Sequence, residues 1–321
     1  MGERIYLGDI LGNDSNYYRG VFEYDKQRIL KETTNANAVV KMIDLDEKHF
    51  IFADSSFSIY KMSKENLKVV GELKVSNTIS VKNICYDGTH LYVVLNSSAE
   101  GLLVIDIDTM SIIANGPAAG TNAMTYDDKF LYAATSNAIS KINKTTLEVI
   151  ATIRPTDQGV TSLLVDGDFL YAGFGGQSTG RMRKISTDTM SVVEISSGLS
   201  ITGFLGTDEE YIYAWYTTVL RKIPKTNINT SINKSFPGLK VFKDNYFYLV
   251  SSSTVSSVTS SYFYKYDFDT DSTLLTSEVY TGTFDSMIVD KDYIYILAAT
   301  NKFLKYSKKY RKLTNFVQVG E

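Results

Sequence analysis

Apolar and polar positions along this chain fall into a recurring phrase. In "LLVDGDFLYAGF" (163–174) an apolar run ends at an aspartate, a few polar residues follow, and a second apolar run carries an aromatic. The phrase returns as "ICYDGTHLYVVL" (84–95), "MTYDDKFLYAAT" (124–135) and "MIVDKDYIYILA" (287–298). Two apolar runs joined by a polar turn predict a β-hairpin, and Asp166-Gly167 suits a tight type I′ connection. Around residues 160–195 the pattern predicts four short strands, "VTSLLVD", "DFLYAGF", "GRMRKIS" and "MSVVEI". The first two are nearly continuous apolar runs, as strands covered on both faces are. The last is more polar, as an outer edge should be.

Anchor aspartates stand at Asp46, Asp87, Asp127, Asp166, Asp208, Asp244 and Asp290, with partner aromatics Phe52, Tyr92, Tyr132, Tyr171, Tyr213, Tyr248 and Tyr295. Four antiparallel strands every ~41 residues predict an all-β propeller, with a β-sandwich or a solenoid of hairpins as the other ways to use the same units. "GERIYLGDI" aligns with "GDFLYAGF", so the first 36 residues read as a blade lacking its inner strand. The expectation is therefore a single propeller domain of eight blades, one incomplete, with seven as the alternative. Its full blades would run approximately 37–76, 77–116, 117–156, 157–197, 198–236, 237–281 and 282–321, after the incomplete blade at 1–36.

Composition narrows the chemistry. The chain has 321 residues, 44% of them hydrophobic, with 23 tyrosines and only 4 prolines, which favours strands over disorder. A net charge of −3 gives no global attraction to nucleic acid or an anionic membrane. The single cysteine, Cys85, excludes an intramolecular disulfide framework. No signal peptide and no run of apolar residues long enough for a transmembrane helix is visible. The expected location is cytoplasmic or in a virion, or extracytoplasmic if a leader has been removed.

The segments "YAATSNAISKINKTTLEVIATI" (132–153) and "YVVLNSSAEGLLVIDIDTMSIIA" (92–114) resemble the repeat of YVTN-type β-propellers, which are similar to quinoprotein-like propellers. The resemblance spans nearly the whole chain at the level of repeat grammar and implies the propeller fold. The Tyr-Val-Thr-Asn phrase itself is missing. One tryptophan, Trp215, departs from the repeated tryptophans of quinoprotein dehydrogenases, WD40 repeats and sialidases.

Candidate chemistry is sparse. With two histidines and one cysteine, an ordinary zinc site is disfavoured, and no metal or cofactor is expected. His49 and His90 share one repeat position, which points to structure rather than catalysis. The anchor aspartates are expected to bond their own turns, and Cys85 to be a buried small hydrophobe. "AGFGGQSTGRM" (172–182) lacks the following helix that a phosphate loop needs. "SSSTVSSVTSS" (251–261) reads as an insertion, either a long hairpin or a partner-contacting arm. "NKFLKYSKKYRKL" (301–313) mixes basic and aromatic residues, but lysines on outer strands commonly block edge pairing, which argues against nucleic acid.

Propellers usually bind where inner strands begin. Five residues before each anchor stand Lys41, Lys82, Asn122, Thr161, Gly203, Leu239 and Asp285. Of these, Lys41, Lys82, Asn122, Thr161 and Asp285 are the candidate ligand contacts, a mildly basic set suited to an anionic partner. No catalytic residue is assigned. The functional expectation is a non-enzymatic scaffold binding a protein or an anionic small molecule or glycan through one face. A virion or cell-surface module recognising glycans and a metal-dependent hydrolase or lyase at the channel are the alternatives.

Overall fold

The computed structural model describes the backbone over residues 4–11, 17–23, 29–34, 39–308 and 315–318, except 80, 97–100, 118–120, 156–158, 176–180, 239, 278 and 299–301. Side chains are described from Met42 to Lys308 with the same gaps. Every regular element is a β-strand, and no helix among the described residues is long and apolar enough to cross a membrane.

Seven antiparallel blades of four strands form the propeller, and the sixth carries a short fifth strand, Tyr280–Thr281, against Val258–Asp267. Blade 1 runs from Val39 to Lys74, blade 2 from Val81 to Gly116, and blade 3 from Ala123 to Ile153. Blade 4 runs from Val160 to Ile195, blade 5 from Gly203 to Ser235, and blade 6 from Lys240 to Thr276. Blade 7 takes three strands from Phe284–Ser307, and its fourth, outer strand is Ile29–Thr34. The first strand of each blade neighbours the first strands of the blades on either side, which closes a ring of seven.

The favoured count of eight is thus corrected to seven, the alternative. Ile29–Thr34 does not complete a blade of the N-terminal residues. It pairs with Lys302–Ser307 and hides the edge that blade 7 would otherwise expose. Arg4–Leu11 pairs with Tyr17–Glu23, which pairs with Asn315–Gln318, in a separate three-stranded sheet.

The core is divided as the blades are. Seven apolar clusters fill the seven wedges between adjacent sheets. Leu91 and Val93 of blade 2 pack on Ile51 and Ile59 of blade 1, and Phe50 and Phe52 of blade 1 pack with Tyr295 and Phe303 of blade 7. Each middle strand therefore contributes both faces to burial, which is why its sequence is apolar without alternation.

The anchor aspartates shape the first hairpin of each blade. Oδ1 of Asp46, Asp87, Asp127, Asp208 and Asp290 accepts two successive main-chain amides of its own turn. The other oxygen accepts the partner tyrosine's hydroxyl from Tyr92 at 3.1 Å, Tyr132 at 2.7 Å and Tyr213 at 2.5 Å, and Tyr295 bonds the Asp290 carboxylate in the same way. Two assignments shift by one residue. In blade 1, Ile51 rather than Phe52 pairs with Lys61, the place Tyr132 takes against Lys141. In blade 6, Lys243 pairs with Tyr246, so Lys243 holds the anchor position and Asp244-Asn245 form the turn, both with positive φ (53° and 62°). That is the backbone a type I′ turn demands. In blade 4 the central residues are Gly167-Asp168 rather than Asp166-Gly167.

Tyr132 and Tyr171 are fully buried. Replacing either by alanine is expected to cost about 3–5 kcal/mol in urea denaturation, as large-to-small core changes do. A loss below ~1 kcal/mol would place these side chains outside the core. Deleting residues 1–36 uncovers the Lys302–Ser307 edge, and the truncated chain is expected to self-associate in light scattering where the full chain does not.

Candidate functional site

Chain direction sets two faces. Inner strands begin at the mouth face, where the second-to-third strand hairpins also lie. They end at the hairpin face, with the anchor turns.

At the mouth, five blades carry the predicted residues. Lys82, Thr161 and Asp285 are each the extra residue of a β-bulge, between Val81 and Asn83, Val160 and Ser162, and Phe284 and Ser286. In blade 1 the extra residue is Val40, and Lys41 pairs with Ala53 as Asn83 pairs with Val94. The Lys41 backbone is therefore one step out of register with Lys82, and its side chain lies outside the described residues. Asn122 sits just before blade 3, its N–H donating to Ala134. Thr161 and Asp285 are exposed, while Lys82 and Asn122 are half-buried. Gly203 opens blade 5, and Leu239 is outside the described residues.

Polar links run between neighbouring blades here. Thr161 Oγ1 donates to the Ile201 carbonyl at 2.7 Å, Asn83 Nδ2 donates to the Asn122 carbonyl at 3.3 Å, and Ser162 Oγ accepts the Phe204 amide at 3.0 Å. Asn83 and Ser162, which make two of these links, directly follow the predicted positions Lys82 and Thr161.

The Ser/Thr-rich insertion rises from the same face as a long hairpin. Tyr246–Val255 and Val258–Asp267 pair along their whole length around Ser256-Ser257, both at positive φ. Ser252–Ser261 and Thr254–Thr259 hydroxyl pairs at 2.7 and 2.9 Å line it, and Val255 and Val258 are exposed at the tip. The glycine-rich loop at 176–180 lies outside the described residues.

The hairpin face is a set of seams. A lysine in the third strand of six blades, Lys61, Lys141, Lys184, Lys222, Lys265 and Lys305, recurs at one position, with Val104 in blade 2. Four reach a main-chain carbonyl of the next blade: Lys61 to Ile107 (3.2 Å), Lys141 to Thr187 (2.7 Å), Lys184 to Lys225 (3.1 Å) and Lys305 to Lys64 (2.7 Å). Lys222 reaches Asp269 of blade 6 at 2.5 Å. Most also lie over the aromatic that opens the second strand, such as Phe130 at 4.0 Å and Phe169 at 4.1 Å. His49 and His90 stand at that aromatic position in blades 1 and 2, and His49 Nδ1 meets Asp46 at 3.0 Å. A structural role accounts for both.

A second lysine, just after the third strand, reaches back to the preceding blade. Lys144 meets Asp87 at 2.7 Å, Lys225 meets Asp166 at 2.5 Å, Lys308 meets Asp244 at 3.2 Å, and Lys64 meets Asp290 at 3.2 Å, as well as Asp44 of its own blade at 2.7 Å. The basic segment near the C-terminus thus supplies Lys305 and Lys308 to the seams, while residues 309–313 lie outside the described part. A cleft of about 580 Å³ at the blade 7–blade 1 seam is lined by His49, Lys64, Asp290, Tyr295 and Lys305, but these charges already face one another. Among the described residues no group of three or more His, Cys, Asp and Glu side chains is placed to hold a metal ion. Burial pushes the Cys85 thiol up to about 12, with the Asp87 charge adding to it, so it stays protonated and inert near neutrality.

Burial alone would raise the Asp87 and Asp208 carboxyls. The turn amides outweigh it, with Lys144 at Asp87 and the Tyr213 hydroxyl at Asp208, and hold both below the ordinary range. A depressed folded pKa gives stability that is full above the unfolded value, about 3.9, and is lost as pH falls through the folded one. Urea midpoints are expected to hold down to about pH 5 and fall steadily below about pH 4, less steeply in Asp87→Asn. Lys64→Met leaves Asp290 and Asp44 facing a buried apolar group, and is expected to cost about 3 kcal/mol.

No family model matches this chain, and no curated protein matches its sequence. Solved structures share its architecture. The computationally designed Ika8 protein is 9% identical, with a TM-score of 0.66 over 88% of this chain and 99% of its own. BamB from Moraxella catarrhalis is 12% identical, with a TM-score of 0.60 over 95% of this chain and all of its own. At these identities the likeness establishes the β-propeller fold.

Proposed function

We propose that this chain is a non-enzymatic binding scaffold whose mouth face engages a partner carrying carboxylates or phosphates. One observation carries the reading: Lys82, Thr161 and Asp285 are bulge residues at one repeated place on the inner strands. A bulge re-aims a side chain and interrupts pairing, and such features cluster beside sites. Lys41 and Lys82 stand on adjacent blades with Asn122 next to them, and a lysine binds anionic groups as a point charge. The long Ser/Thr hairpin on the same face is the arm that would widen the contact. We also group the chain with YVTN-type repeats, on its repeat grammar.

The probe is a fluorescein-labelled deca-glutamate peptide read by anisotropy. Saturable binding that weakens with salt is expected. Lys41→Glu with Lys82→Glu should lower affinity at least tenfold at a temperature where circular dichroism shows both proteins folded. Unchanged affinity in that double variant, or no binding by the wild type while a neutral glycan panel binds, overturns the reading.

A further inference from the structure

Blade 6 departs from its sisters at one point. In blade 2 the Asp87 carboxylate is held from both sides, by the Tyr92 hydroxyl at 3.1 Å and by Lys144 of blade 3 at 2.7 Å. The corresponding blade 6 tyrosine is Tyr248, and the corresponding lysine from blade 7 is Lys308. Between them the carboxylate is missing, because Lys243 occupies the anchor position and Asp244 has moved into the turn.

The consequences are visible in three groups. Tyr248 is fully buried, and its hydroxyl has no hydrogen-bond partner. Lys265 lies 3.5 Å from the Tyr246 ring centroid, and among the described residues no carbonyl of blade 7 accepts from it as carbonyls accept from Lys141 and Lys184. Burial and the nearby Lys308 hold the Lys265 ammonium below its usual range. Lys308 is partly answered by Asp244 Oδ2 at 3.2 Å and the Asp290 carbonyl at 2.7 Å. Tyr248, Lys265 and Lys308, with Leu274 and Leu275, line a cavity of about 210 Å³. At about 30 Å³ per water that is room for a small anion and its hydration, and too little for a cofactor. An unpaired buried donor beside an ammonium that Asp244 and Asp267 answer only through space costs free energy that a directly bonded carboxylate would recover.

We propose that this cavity between blades 6 and 7 is a binding site for a small carboxylate, which takes the place the anchor aspartate fills in the sister blades. The hydroxyl of Tyr248 and the ammonium of Lys265 donate to its two oxygens, and Lys308 balances its charge. Lys243→Asp would supply the carboxylate from the chain itself.

The test is titration of the full-length protein with [13C]acetate, read by the carboxyl line and by the thermal midpoint. Saturable one-to-one binding is expected, with formate alike and chloride weak. Tyr248→Phe keeps the ring and should weaken acetate about fivefold, and Lys265→Met about tenfold or more. Lys243→Asp should raise the thermal midpoint without acetate and abolish the response to it. Lys74→Glu, on the exposed outer strand of blade 1, should change nothing. Absence of saturable acetate binding, or equal binding in Tyr248→Phe and Lys243→Asp, overturns the assignment, and a preference for inorganic phosphate over acetate refutes its ligand class.

Discussion

A buried ammonium that leaves one blade and ends on a main-chain carbonyl of the next is the contact on which the ring's geometry depends. Apolar burial in the seven wedges supplies most of the driving force, but it is non-directional and tolerates sliding. In blades 1, 2, 4 and 5 the end of the third strand presents a carbonyl toward the neighbouring sheet. Lys141 at Thr187 and Lys305 at Lys64 satisfy that carbonyl with a charge-assisted bond, and the aromatic beneath the lysine stem offsets part of its desolvation. Because donor and acceptor belong to different sheets, the bond fixes the angle between them. The second lysine works in the opposite sense, from blade n+1 back to the anchor carboxylate of blade n, so at two seams, between blades 4 and 5 and between blades 7 and 1, the two sheets are tied in both directions.

Much of this was written locally. The hairpin aspartate, the double apolar run and the four-strand repeat all act over fewer than fifty residues, and the sequence displays them. The blade count was not legible, because the outer strand of blade 7 is Ile29–Thr34, and nothing in "ILKETT" names a partner at Lys302–Ser307. The lysine seams could have been seen. "YK", "SK", "RK", "RK", "YK" and "LK" recur in the third strands, but lysine reads as solvent-facing unless its partner is known. The register of blade 6 was also legible in principle: Asp-Asn suits the two positive-φ positions of a type I′ turn, which puts Lys243 at the anchor.

The mouth and the seams divide labour. Seams are paired and buried, and they hold the shape. The mouth carries bulged side chains, and among the described ones Thr161 and Asp285 are exposed while Thr161 also bonds the next blade. Blade 6 is the place where the two regimes meet: a seam with its carboxylate removed, next to the longest hairpin on the mouth face. Its Lys265 is also a natural control, since it has the same strand position and the same aromatic beneath it but no carbonyl to reach.

That control gives the most direct measurement. Urea denaturation of Lys141→Met, Lys184→Met and Lys265→Met compares lysines that share a position and differ in the cross-blade bond. The account predicts losses of about 2 kcal/mol for each of the first two, from a charge-assisted hydrogen bond and the carbonyl left behind. For Lys265→Met it predicts less than about 1 kcal/mol, the worth of the ring contact alone. Equal losses in all three would contradict it, and would mean that apolar packing alone sets how the blades meet.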